Sequence, residues 1–203
     1  MLPEQIIYFA ILVNLIGHAL YIRSVLVGHA KPNLVTWFFW TIAPFIGVFF
    51  QYKAGAGLSM LPIFIAGFGS MIIMITAILT KNGFWKITTF DIYCGLFSAL
   101  ALIFYIWTHN LGISILFAIL SDALASVPTI IKAWKFPETE NWGPYLLPIF
   151  SNIAGLLIIQ NWSFSIYSFG IYFLILDFTM IFCIYRQKII FWYNEQYERK
   201  STK

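Results

Sequence analysis

Residues 57–80 read GLSMLPIFIAGFGSMIIMITAILT, a run without one charged side chain. About 20 apolar residues in a helix are enough to cross a hydrocarbon core of ~30 Å, so this stretch is long enough to span a bilayer. Outward from it, six further segments have the same character: Gln5 to Val27, Asn33 to Tyr52, Phe90 to Thr108, Leu111 to Trp134, Gly143 to Gln160 and Ser163 to Tyr185. Their apolar runs are continuous and do not alternate. This favours helices, which satisfy every backbone polar group internally, over the strands of a membrane barrel. The expected class is an all-α membrane protein with seven transmembrane helices. Composition agrees, since 61% of residues are hydrophobic and 10% charged, against roughly half and a quarter in soluble domains.

The connections are short and built from helix breakers: Gly28 to Pro32, Lys53 to Gly57, Lys81 to Gly83, His109 and Asn110, Pro137 to Asn141, and Gln160 to Trp162. They leave no room for a soluble domain. The first span lacks a small-residue cleavage site, so it reads as a retained helix and not a signal peptide.

Charge fixes the expected orientation. Arg23, Lys31, Lys81, Lys86, Lys132, Lys135, Arg186, Lys188, Arg199, Lys200 and Lys203 fall on one side of the spans, and of the 12 Lys and Arg residues only Lys53 falls on the other. Positive charge stays cytoplasmic during insertion, which puts the N-terminus outside and the C-terminus inside. The net charge of +4 is then explained by anionic headgroups, and no nucleic-acid partner is expected. Trp37, Trp85, Trp107, Trp134, Trp162 and Trp192 sit near span ends as an aromatic belt would. The tail, with Phe191, Trp192 and Tyr193 among basic residues, reads as an interfacial anchor. Cys94 and Cys183 lie inside apolar spans without CxxC or His spacing, so no disulfide, metal or cofactor is expected. No Ser-His-Asp or Cys-His constellation is present, and the chain does not read as an enzyme.

Shifting the chain by 105 residues lays Pro32 on Pro137 and Trp37 on Trp142, and span one on span five. Spans one to three then read as one copy and spans five to seven as another. Three helices leave the chain on the opposite face, so a second copy in the same orientation needs one extra crossing, supplied by span four. The expected arrangement is 3+1+3: residues 1–80 a first three-helix bundle, 81–110 a linker helix, 111–186 a second bundle and 187–203 a cytoplasmic tail. Parallel repeats of this kind are a transporter architecture with the site at the repeat interface.

Val127-Pro128-Thr129, Ile131-Lys132, Thr139-Glu140, Pro144-Tyr145 and Phe150-Ser151 resemble the signature of the SWEET sugar-facilitator and PQ-loop superfamily, which also includes the SemiSWEET-like proteins. The first copy matches less, with Ile22-Arg23-Ser24 in place of Val-Pro-Thr. The resemblance implies two parallel three-helix bundles, a linker helix and an external N-terminus. It also implies carriage of a sugar, vitamin precursor or amino acid, with cargo receptors as one branch. Where sugar-type members place an asparagine in the third helix of each bundle, this chain has Gly67, Gly69 and Ser70 in span three and Asp177 in span seven.

Polar and ionisable residues at membrane depth are costly and mark pathways. Those expected to bind substrate are Asn14, His18, Asp122, Asn152 and Asp177, joined by Trp40, one turn deeper than Trp37 on the same helical face. Asp122 and His18 are expected to meet across the interface, whereas Asp91, at the start of span four, reads as structural. Pro44, Pro62, Pro128, Pro144 and Pro148 interrupt spans, and Pro128, Pro144 and Pro148 are the expected hinges. The function these features favour is a facilitated or proton-linked carrier of a small polar solute, a sugar, nucleoside or vitamin precursor, in a bacterial inner membrane. The rival is a membrane receptor or assembly factor on the same scaffold. The expected partners are the solute and the bilayer, with a second copy of the chain a further candidate.

If the charge asymmetry sets topology, a C-terminal reporter is active in the cytoplasm and an N-terminal tag is labelled from outside intact cells. Proteolysis of the tail from outside is the contrary result.

Overall fold

Helix starts follow capping side chains. Asn33 Oδ1 accepts from the backbone N–H groups of Val35 (3.1 Å) and Thr36 (3.4 Å), and Asn110 Oδ1 accepts from Gly112 (3.0 Å) and Ile113 (3.3 Å). Each satisfies donors that a first helical turn leaves free. Thr88 and Asp91 form a reciprocal capping box, since Thr88 N–H donates to Asp91 Oδ2 and Asp91 N–H to Thr88 Oγ1. Gly28 and Gly55 take positive φ of 79° and 82° just past two helix ends, where a side chain would be strained.

The computed structural model describes residues 4–80, 84–107 and 110–201, with the side chains of 101, 102, 105, 106 and 187–201 outside the description. Seven helices form among these residues and no strand: α1 (Ile6–Leu26), α2 (Leu34–Lys53), α3 (Leu61–Leu79), α4 (Thr89–Trp107), α5 (Leu111–Lys135), α6 (Gly143–Leu157) and α7 (Phe164–Ser201). Single 3₁₀ turns at Gly57–Met60 and Pro137–Thr139 precede α3 and α6. The expected loop residues Lys81, Gly83 and His109, and the terminal Lys203, lie outside the described residues. So do the side chains of Lys188, Arg199, Lys200, Phe191, Trp192 and Tyr193.

Five segments are long and apolar enough to cross a bilayer: Ile6–Leu26, Leu34–Lys53, Gly57–Leu79, Leu111–Lys135 and Phe164–Arg186. The chain is therefore a helical integral membrane protein. The expectation of seven full-length spans is corrected at one place: α6 spans only Gly143–Leu157, whereas α4 runs over Thr89–Trp107. Beyond the end of α6, Ile158 and Ile159 are buried, Ile158 in a cluster with Ile7, Ala10 and Ala154. The last helix, α7, runs on past residue 186 to Ser201.

Connectivity sorts the loops to two ends. At one, Lys31 N–H donates to Thr139 O (3.0 Å) and Trp85 N–H to Pro32 O (2.9 Å), joining the α1–α2, α3–α4 and α5–α6 connections. This is the basic end, carrying Arg23, Lys31, Lys86, Lys132 and Lys135. At the other, Gln160 Nε2 donates to Glu4 Oε1 (2.9 Å), tying the N-terminal segment to the α6–α7 connection.

Packing follows a regular scheme. α3 packs on both α1 and α2, and α7 on both α5 and α6; between these groups α1 packs on α6 and α2 on α5, while α4 lies on α5 and α2. Association of helices in lipid gains little from the hydrophobic effect and depends on close approach of small residues. Gly17 and Gly143 provide it: a Cβ on Gly143 would come within 2.7 Å of Gly17 O, and one on Gly17 would overlap Gly143 O. Asn14 Nδ2 donates to Ser151 Oγ (2.7 Å) in the same interface, and Thr129 Oγ1 donates to Thr36 Oγ1 (2.9 Å), which donates to Ala125 O (2.7 Å), between α5 and α2.

Gly17→Ala sets a side chain against backbone that cannot yield, and is expected to destabilise by about 1–3 kcal/mol. Gly112→Ala meets only ordinary contacts of 3.5 Å or more and is expected to be neutral or slightly stabilising. Melting temperatures of the two purified variants in one detergent check the contrast; equal shifts contradict it.

Candidate functional site

The basic end is closed by a buried polar knot. Lys132, in the last turn of α5, forms an ion pair with Glu140, and their side chains are 2% and 0% exposed. Glu140 Oε2 also accepts from Tyr21 of α1 (3.0 Å) and Tyr145 of α6 (3.1 Å), and Lys132 Nζ donates to the Lys31 carbonyl (2.5 Å). The knot therefore joins α1, α5, α6 and two loops. The α5–α6 connection is folded inward to reach it: Asn141 Oδ1 accepts from Gly143 N–H (2.8 Å), turning the chain into α6 just after Glu140.

Directly beneath lies an aromatic layer. Tyr21 and Trp37 have ring centroids 4.9 Å apart, Trp37 and Trp40 5.2 Å, and Trp40 and Tyr145 6.2 Å. The Trp37–Trp40 and Trp40–Tyr145 pairs meet at interplanar angles of 75° and 73°, so the rings form corners and not a stack. Below them is a central cavity of about 40 Å³ lined by His18, Trp37, Trp40, Ser70, Asn152 and Asp177, with Ala66, Pro144, Tyr145, Pro148, Phe173 and Leu176 completing its wall. One water requires about 10–15 Å³ by this measure, so the space admits a few waters or one small head group. Residues from α1, α2, α3, α6 and α7 converge on it.

His18 is seated by a glycine: a Cβ at position 69 would overlap its imidazole. Its Nδ1 lies 3.1 Å from the Asn14 carbonyl; a carbonyl only accepts, so this bond requires Nδ1 to carry a proton. Asn152 Nδ2 donates to Asp177 Oδ2 (3.2 Å). Among the described residues, Asn152 Oδ1 and the indole N–H groups of Trp37 and Trp40 have no hydrogen-bond partner.

Toward the opposite end, a space of about 10 Å³ shares Asn152 with the central cavity. It shares Ser59, Ile159 and Ile166 with a vestibule of about 650 Å³ between the α2–α3 and α6–α7 connections. The polar knot thus stands on the basic side of the centre, and the small space beside Asn152 on the other.

Of the residues expected to bind substrate, His18, Trp40, Asn152 and Asp177 line the cavity. Asn14 does not; its amide is spent on Ser151 in the α1–α6 interface. Asp122 is fully buried but accepts from Tyr172 Oη (2.7 Å), so its partner is on α7 and the expected meeting with His18 is not what forms. The 105-residue shift set Asp122 opposite α1, whereas α5 packs on α2 and α7. Of the hinge candidates, Pro128 and Pro148 stand inside α5 and α6, while Pro144 occupies the first turn of α6, where no backbone donor is needed, and starts the helix without breaking it. Pro62 does the same in α3. Trp37, expected at the interface, is 1% exposed and forms cavity wall, whereas Trp107, Trp134 and Trp162 face outward. Lys132, Glu140 and Tyr21 were not among the expected site residues. Their signal was a lysine and a glutamate on either side of Pro137 in a chain with only 8 acidic residues.

No protein-family model matches the chain, and no curated protein or solved structure matches it either.

Removing one member of a buried ion pair strands the other, at a typical cost of about 3–5 kcal/mol. Glu140→Ala is therefore expected to destabilise severely, and Lys132→Met/Glu140→Gln to cost less than Glu140→Ala alone. Chemical denaturation of the purified variants checks the order; a double variant no better than the single contradicts it.

Proposed function

We propose that this chain is a carrier for a small polar solute, working by alternating exposure of the central cavity. The observation that carries this reading is the placement of the cavity. It sits between two groups of helices, lined by partnerless polar atoms, with a closable polar knot at one end and a vestibule beyond the small space at the other. Polar groups left unpaired in a membrane interior are expensive unless something fills the site.

The reading includes the 3+1+3 arrangement, with α1–α3 and α5–α7 as two parallel bundles and α4 as linker. Its support is reciprocal packing, with the third helix central in each group and α1 on α6 matched by α2 on α5. The resemblance to the SWEET and PQ-loop superfamily, carried by Pro128, Lys132, Glu140 and Tyr145, points the same way. In this reading the basic end faces the cytoplasm of a bacterium, the C-terminus is inside, and Pro128 and Pro148 give the bundles their bending points. Rocking that separates α1 from the α5–α6 connection breaks the Tyr21–Glu140 bond and opens the cytoplasmic side.

Reconstituted into liposomes, the protein is expected to mediate saturable counterflow of at least one member of a panel of sugars, nucleosides, vitamins, amines and amino acids. Asn152→Leu is expected to abolish it while the protein stays folded. Saturable binding without flux across that panel would favour the receptor reading instead.

A further inference from the structure

The chemistry of the cavity wall is asymmetric in charge. Asp177 is the carboxylate there, it accepts from the neutral Asn152 amide, and among the described residues no Lys or Arg lines the space. The described ion pair, Lys132 with Glu140, neutralises the acid above the aromatic layer and leaves Asp177 without a counter-charge. Asp122 adds a second deeply buried carboxyl on the neighbouring helix, where it accepts from the Tyr172 hydroxyl. Asn152 Oδ1, buried and unpartnered, is a further acceptor at the same wall. His18 turns its Nδ1 to the Asn14 carbonyl on its own helix.

Against this acceptor side stand aromatic rings. Trp37, Trp40 and Tyr145 meet near right angles, with Phe173 also in the wall. Aromatic rings lining the space, next to an uncompensated carboxylate, match a cation whose charge is spread over a substituted ammonium group. A neutral ring sugar would leave the carboxylate uncompensated. A solute carrying its own positive charge compensates the carboxylate and also engages the aromatic rings.

We propose that the central cavity recognises a small monovalent organic cation, a substituted ammonium, with Asp177 as its counter-ion and Trp37, Trp40 and Tyr145 as the cage around its charge. This deepens the carrier reading and concerns the same cavity. The volume of about 40 Å³ is on the scale of one such head group, and the small space beside Asn152 is its route to the vestibule.

The test compares choline with 3,3-dimethylbutan-1-ol, which has the same shape and no charge, and with glucose, by calorimetric titration of the purified full chain. Choline is expected to bind saturably and the neutral alcohol at least about tenfold more weakly. Asp177→Asn is expected to weaken choline by about 30-fold or more, the loss typical of removing one partner of a buried charge pair. The comparison within the unaltered protein stands even if that variant does not fold. Equal binding of choline and the alcohol, binding of glucose but not choline, or binding of none of the three overturns the inference. Counterflow of a neutral solute without choline binding also overturns it and leaves the carrier reading standing. Charge-dependent choline binding without flux upholds the inference while the carrier reading falls.

Discussion

A lysine and a glutamate that leave water only together constrain this molecule more than any other contact. Neither Lys132 nor Glu140 is tolerable alone in a low-dielectric interior, and in lipid the hydrophobic effect does not choose which helix faces which. Their union does. With Lys132 fixed at the end of α5, Glu140 draws the α5–α6 connection inward, and the two tyrosines on its second oxygen set α1 and α6 at one height. The aromatic layer and cavity lie beneath because Tyr21 and Tyr145 contribute to both.

Close backbone contact supplies the second constraint. Gly17 against Gly143 lets α1 and α6 touch, and Gly69 makes room for His18, so the positions without side chains decide where the ionisable ones can sit. Proline adds to this. Pro148 removes a donor inside α6, and Ser151 Oγ donates to its carbonyl (2.9 Å) while accepting from Asn14, so the helix irregularity and the interhelical bond share atoms.

The helices themselves were legible in the sequence because apolar runs and capping asparagines are local signals. Asn33 and Asn110 mark starts that the structure keeps to within a residue. Three-dimensional pairing was less so. The shift that aligns Pro32 with Pro137 puts Asp122 opposite α1, but the helix it meets is decided by which side chains interdigitate, and Tyr172 on α7 is closer. Trp37 reads as a belt residue from its place in the chain and is cavity wall in the fold, since an N-terminal turn that packs under an inward-folded loop is no longer at the membrane surface. Lys132 and Glu140 were visible as motif letters only; that they pair inside, and not with headgroups, depends on the inward path of residues 136–142, for which the sequence carries no periodic signal.

The shortness of α6 has a consequence for the lipid around it. Fifteen residues rise only ~22 Å against a hydrocarbon layer of ~30 Å, and Phe150, Ile153 and Leu157 point outward along that helix. A helix shorter than the hydrocarbon layer is accommodated by thinning of the bilayer, by snorkelling of flanking residues or by oligomerisation, each at a cost of fractions of a kcal/mol for each ångström of mismatch. Thickness thus becomes a variable acting on one side of the protein: thicker membranes press against the helix that holds Pro148, Asn152 and Tyr145, and acyl-chain length becomes a quantity to which this fold is mechanically coupled.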